Sequence, residues 1–228
     1  MLQRTLPAGL IAPCLPTKTD KLPSGDLWLH EIKHDGFRII ARKEGDRVRL
    51  YSRSGNDLTR RFPLIVDALA RLRSRSCIID GEAVACDDNG VASFDLIRHQ
   101  RANESIFLYA FDLIELNGDD LRRDPLEVRK ATLASIVAKA HPGIRLNEHI
   151  EGDGPTVFAH ACKMGLEGIV YDLGGTIWGG GHFASMVQLI DQMLGPTLED
   201  KNATHIVSSA WVIKYGLTRP HYKAADEL

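Results

Sequence analysis

Lys33 is the residue best placed for covalent chemistry in this 228-residue chain. A lysine amine attacks only when unprotonated, so it needs surroundings that lower its pKa or a base beside it. The run Glu31-Ile32-Lys33-His34-Asp35-Gly36-Phe37-Arg38 offers such a setting. A strand carrying Leu27, Trp28, Leu29 and Ile32 gives way at Asp35-Gly36 to a turn, which holds the amine at a strand end beside a carboxylate. Arg38, five residues on, can pair with a phosphate or ribose oxygen. Taken singly, Lys-x-Asp-Gly is equally the chemistry of a surface turn. A second acidic pair, Asp80 and Glu82, interrupts the apolar run from Ile78 to Val84, where buried carboxylates are costly unless something satisfies them.

Several elements must position these groups. Leu27 to Lys33 and Phe37 to Lys43 have strand content, and Glu44-Gly45-Asp46 turns the chain into the alternating Arg47-Val48-Arg49-Leu50-Tyr51, a hairpin with a basic outward face. Phe62 to Leu72 has helical spacing, Cys77 to Ala85 returns to strand, and Ile106 to Leu116 is a strongly apolar strand ending at Asn117-Gly118. A helix is expected from Leu126 to Ala140 and a strand from Ile144 to Ile150. Another helix follows over Thr156 to Met164, capped by Gly165, and leads into the strand Gly168 to Tyr171. Gly174 to Gly181 reads as a flexible stretch and Ala184 to Leu194 as one short helix. Hairpins mixed with helices predict an α+β fold of largely antiparallel sheets.

With 28 basic and 30 acidic residues the chain is nearly neutral, so any nucleic-acid surface must be local. The arginines 47, 49, 53, 60 and 61 are the candidate stripe. Cys14, Cys77, Cys86 and Cys162 are too scattered for a zinc site or a disulfide scaffold and read as thiols. The N-terminal residues contain no long apolar stretch, which predicts a cytoplasmic protein without a membrane partner.

Glu31, Lys33, Asp35, Gly36 and Arg38 resemble the Lys-x-Asp-Gly-x-Arg signature of the covalent nucleotidyltransferases: DNA ligases, RNA ligases and capping enzymes. Four more stretches resemble further elements of that family in the family's order: Tyr51-Ser52-Arg53-Ser54-Gly55, Ile78 to Val84, Tyr109-Ala110-Phe111-Asp112-Leu113-Ile114, and Glu167-Gly168-Ile169-Val170. Singly each is weak, since an aromatic in an apolar strand is usually core and a Ser/Gly run is usually a turn. The flanks, Trp28 to Lys33 and Leu58-Thr59-Arg60-Arg61-Phe62-Pro63, are most similar to bacterial ATP-dependent DNA ligases linked to end joining. The resemblance implies a nucleotidyltransferase (ATP-grasp-like) fold, with ATP and Mg2+ as cofactors and nicked double-stranded DNA and DNA-repair proteins as partners. It makes Lys33 the nucleophile that carries AMP, within a nucleotide-binding loop containing Asp35 and Gly36. Glu31 would read the adenine edge, Phe111 would stack on the base, Arg38 and Arg53 would grip ribose or phosphate, and Glu82 and Glu167 would hold the metal.

The pattern stops inside its last element. Where the family places a lysine two residues after the apolar pair, this chain has Asp172. A Trp-x-Lys-x-Lys element is not found at the usual distance, and Trp211-Val212-Ile213-Lys214 is late and out of register. The expected organisation is an extended lead-in over 1–26, an adenylation domain over 27–172 and a divergent tail over 173–228, with no oligonucleotide-binding barrel. A rearranged reading frame and true divergence both explain the break. The reading is an ATP-dependent DNA ligase adenylation domain, impaired on its leaving-group side; a non-catalytic nucleotide- or DNA-binding relative and an RNA ligase or capping-type enzyme stand as alternatives.

Overall fold

The structure, a computed structural model, describes residues 11–18, 25, 27–99, 105–150, 153–178 and the backbone of 185–189. In chain order the elements are β1 (Thr17–Lys18), β2 (Trp28–Lys33), β3 (Phe37–Glu44), β4 (Arg47–Ser52), a 3-10 turn (Thr59–Arg61), α1 (Pro63–Ala70), β5 (Ser76–Val84) and α2 (Phe94–His99). They continue with β6 (Phe107–Leu116), β7 (Asp119–Asp120), α3 (Leu126–Val137), β8 (Ile144–Leu146), β9 (His149–Ile150), α4 (Gly154–Lys163), β10 (Gly168–Leu173) and β11 (Ser185–Leu189). Local chemistry sets several boundaries. Gly45 closes the β3–β4 hairpin at φ 58°, Pro63 opens α1, and Asp153 caps α4 by accepting from the Thr156 N–H before Gly165 ends that helix at φ 67°.

The strands form two open sheets, ordered β1-β11-β10-β2-β9 and β4-β3-β5-β6-β7, with β8 joining β6 in parallel. All the other pairings are antiparallel except the short β1–β11 contact. The main core fills one face of the second sheet, where Ile39, Ala41, Leu50, Ile79 and Leu113 pack against Ile65 and Leu69 of α1 and Leu133 of α3. On the first sheet, Ile169 and Tyr171 of β10 pack with Val157 and Ala161 of α4. A third cluster joins Ile40, Ile78 and Ile114, on the other face of the second sheet, to Ile11 and Trp178.

Three expectations are corrected. The strand expected from Ile144 to Ile150 is two strands on different sheets, β8 on β6 and β9 on β2. Asn147 sits at the crossing and donates its backbone N–H to the Ala110 carbonyl at 2.7 Å. The helix expected over Ala184 to Leu194 is replaced at 185–189 by a strand that supplies the partner for the free edge of β10; the rest of that segment lies outside the described residues. The stretch expected to be flexible is tied down through residue 178. The Gly174 N–H donates to the Leu27 carbonyl, the Gly175 N–H to Glu127, and the Trp178 N–H to the Arg122 carbonyl.

Candidate active site

In an antiparallel pair, directly opposed residues point to the same face. In the β2–β10 pair Lys33 opposes Gly168, Glu31 opposes Val170 and Leu29 opposes Asp172, so Glu31, Lys33 and Asp172 share one face. His30, Ile32 and Tyr171 point the other way, toward α4. The charged face looks across at the second sheet. Lys33 and Glu167 act electrostatically on Glu82 of β5, and Asp172 acts on Arg38 of β3.

Lys33 stands at the end of β2 with its Nζ donating to Glu167 Oε1, and both side chains keep partial access to solvent. The turn that follows is held by close backbone approach. A Cβ at Gly36 would lie 2.2 Å from the Ala83 carbonyl oxygen, so only glycine fits between β3 and β5 here. Asp35 accepts the Phe94 N–H at 3.0 Å at the start of α2 and acts electrostatically on Glu167. Arg38 makes a bidentate pair with Asp80 at 2.6 and 2.9 Å and donates to the Cys14 carbonyl, with its guanidinium 4.3 Å from the centre of the Phe111 ring. Asp80 is therefore satisfied by Arg38, which answers the cost that its sequence position raised.

Phe111 reaches this face because β6 is irregular. The register between β5 and β6 skips at Ile114 and again at Phe111, so each is an extra residue opposite a continuous β5. Phe111 is half-buried rather than core, in contrast to Leu108, Ala110 and Leu113. Arg53 behaves differently from the other candidates. It lies exposed just beyond Ser52, at the end of β4 nearest Arg38's end of β3, and joins none of the contacts described above.

The carboxylates are electrostatically strained. Burial pushes Glu82 up to about 8 against the opposing charges of Arg38 and Lys33, and it raises Glu167 despite the Lys33 contact. Glu167 Oε2 is buried without a hydrogen-bond partner. Two carboxylates raised by burial, one acting electrostatically on the other and one with an oxygen unsatisfied, fit a divalent cation. Among the described residues no three His, Cys, Asp or Glu side chains cluster. A cation here would thus complete its shell with phosphate and water oxygens, as magnesium does.

Glu31 is the centre of a network that the sequence did not disclose. Its Oε1 pairs with Lys130 of α3 and its Oε2 accepts from Asn147 Nδ2 at 3.0 Å. Asn147 Oδ1 in turn bonds His34, whose ring stacks on Tyr109 at 3.9 Å. Burial holds the His34 imidazole down to about 4, so it is neutral. Burial pushes Glu31 up to about 7, with Lys130 opposing the rise and Asp172 and Asp112 adding to it. Arg129, next to Lys130, forms a bidentate pair with Asp112 at 2.8 Å through both nitrogens.

These largely antiparallel sheets flanked by helices are a fold shared with the DNA ligase nucleotidyltransferase domains. The ATP dependent DNA ligase domain family matches residues 15–178, and this chain belongs to that family. It is 35% identical over 164 residues to the multifunctional non-homologous end joining protein LigD of Pseudomonas aeruginosa, covering 70% of this chain and 19% of that protein. It is also 31% identical over 143 residues to the LigD of Mycolicibacterium smegmatis, covering 63% of this chain and 18% of that protein. The chain thus spans about a fifth of the length of these curated relatives. Among solved structures, mycobacterial DNA ligase D complexed with ATP and MES superposes with a TM-score of 0.70 at 28% identity, covering 78% of this chain and 60% of that one. Chlorella virus DNA ligase-adenylate shares the fold at a TM-score of 0.57 and 15% identity, over 81% of this chain and 70% of that one. No described helix is long and apolar enough to cross a membrane.

Proposed function

We propose that residues 27–172 form a ligase adenylation domain in which Lys33 takes AMP from ATP for sealing nicks in double-stranded DNA. The observation that carries this is the Lys33–Glu167 contact at the mouth of a cleft lined by Glu31, Arg38, Glu82 and Phe111. The Lys33 amine, oriented by Glu167, gives up its proton to water, and Nζ then forms a bond to the α-phosphorus as the bond to pyrophosphate breaks. AMP next passes from Lys33 to a 5′-phosphate, and a 3′-hydroxyl displaces it to close the strand. Phe111 stacks on the base and Glu31 accepts from its amino edge. Glu82 and Glu167 are the residues that would hold magnesium, which when bound offsets phosphate charge.

Asp172 supports a qualification. It shares the face of Glu31 and Lys33 and adds a negative charge that acts on Glu31 and Arg38. We expect self-adenylation to be slow, by about 10²- to 10³-fold for one lost transition-state cation. Incubation with α-labelled ATP and magnesium tests both parts. Weak label that vanishes in Lys33→Ala supports the reading, and label persisting in that variant overturns it. ATP binding by calorimetry with no label at all would favour the non-catalytic relative.

A further inference from the structure

Lys130 lies in the middle of α3, where a charged helix residue ordinarily faces water, yet it is buried. Its ammonium touches two groups. One is the Glu31 carboxylate, and the other is the Phe111 carbonyl oxygen at 2.7 Å. A buried ammonium must be paired and hydrogen-bonded to be tolerated, and here a single cation meets that need with partners from two different sheets. Those partners are the edge acceptor and the stacking ring of the base site. Arg129 pins the residue after that ring through Asp112, so the β6 irregularity carrying Phe111 is clamped at two successive positions.

We propose that Lys130 is the base-selecting positioning residue of this cleft: its ammonium, shared between the Glu31 carboxylate and the Phe111 carbonyl, fixes edge acceptor and stacking ring together and selects adenine over guanine. The inference rests on the reading of the cleft as an ATP site.

The selection follows from donor and acceptor inventory. An ionised carboxylate only accepts, which suits the 6-amino group of adenine and repels the 6-carbonyl of guanine. A protonated carboxyl gains a donor and loses that discrimination. Lys130 opposes the charges around Glu31 and keeps its pKa at about 7, so that the accepting form prevails above neutral pH. Those charges are Asp172 on β10 and Asp112 on β6, with His149 opposite on β9 and neutral His34 reached through Asn147. Without Lys130, burial and the two aspartates drive Glu31 further up, so it is protonated at neutral pH.

The test uses the full chain and calorimetric affinities for ATP and GTP with magnesium between pH 6.5 and 9. Wild type should prefer ATP. Lys130→Met should lose at least about tenfold of that preference at pH 7.5 and regain part of it toward pH 9, whereas Lys130→Arg should keep it. In a Glu31→Gln background, Lys130→Met should change the ATP-to-GTP ratio less than about twofold, since the effect runs through Glu31. A wild-type ratio and pH profile in Lys130→Met overturns the proposal while leaving the ATP site standing. Wild type that binds neither nucleotide overturns both. If Lys130→Met does not fold, Glu31→Gln and the double variant decide, and a difference between their ratios overturns the proposal.

Discussion

At the scale of single residues, the site sets Lys33, Arg38 and Lys130 against several carboxylates. Lys33 faces Glu167 and acts on Glu82, while Asp172 adds a further negative charge on the same sheet face as Glu31. Phosphates bound near that face would add to its negative charge, and Arg38 is already engaged by Asp80. We therefore expect Asp172→Lys to raise the rate of Lys33 labelling by at least about tenfold, with Asp172→Asn giving a smaller gain. Single-turnover labelling at saturating ATP measures this, and an unchanged rate in Asp172→Lys would show that the carboxylate is remote from the phosphates. The residues legible in the sequence were those whose type and spacing are themselves the chemistry. Glu31, Lys33 and Asp172 share one sheet face and Glu167 contacts Lys33, all of them positions that the sequence had singled out. Lys130 and Asn147 were not legible, because on a helix or in a strand-like run they look like ordinary solvated side chains. Only the tertiary crossing of β8 to β9 and the docking of α3 bring them to Glu31. The protein partners of Asp35 and Arg38 were not legible, since Phe94 and Asp80 are brought to them by α2 and β5, far away in sequence.

At the scale of elements, α3 is the part that joins the two sheets. It gives Lys130 to β2 and β6, and Arg129 to Asp112, the Asp124 carbonyl and the Thr176 carbonyl. Removing one member of a buried pair leaves an uncompensated charge, which costs about 3–5 kcal/mol. Arg129→Met should accordingly lose stability of that order in urea unfolding, and pairing it with Asp112→Leu should recover most of the loss. Recovery of stability without recovery of ATP affinity would show that the clamp also places Phe111. The sequence foretold a helix from Leu126, which α3 matches over Leu126–Val137, and foretold the β3–β4 hairpin by its turn. It missed the break of 144–150 into two strands because both halves carry strand content, and the sheet each joins depends on distant partners. It missed β11 for a related reason: that segment is specified by the unpaired edge of β10, not by its own pattern.

At the scale of the whole molecule, the proposed DNA binding of a nearly neutral chain requires a local patch, and the structure narrows which arginines can serve. Of the five in the candidate stripe, Arg49 pairs with Asp57, and Arg61 donates to the Ile97 carbonyl while lying over the Phe37 ring at 4.6 Å. Arg61 is thereby part of the packing between the 3-10 turn and α2. Arg47, Arg53 and Arg60 remain exposed, and Arg53 lies near the cleft end of the second sheet. Each phosphate neutralised contributes about −0.9 to the slope of log affinity against log salt. Replacing Arg47, Arg53 and Arg60 with alanine together should flatten that slope for a nicked duplex by about 2 to 3, weakening binding at every sequence alike. Replacing Arg49 and Arg61 should leave the slope within about 1 of wild type, with Arg61→Ala instead lowering stability through lost packing. Fluorescence titrations of a labelled nick over a range of potassium chloride concentrations read both quantities. If the two sets of variants flatten the slope equally, the ion pair at Arg49 and the burial at Arg61 do not persist on DNA, and the whole stripe tracks the backbone.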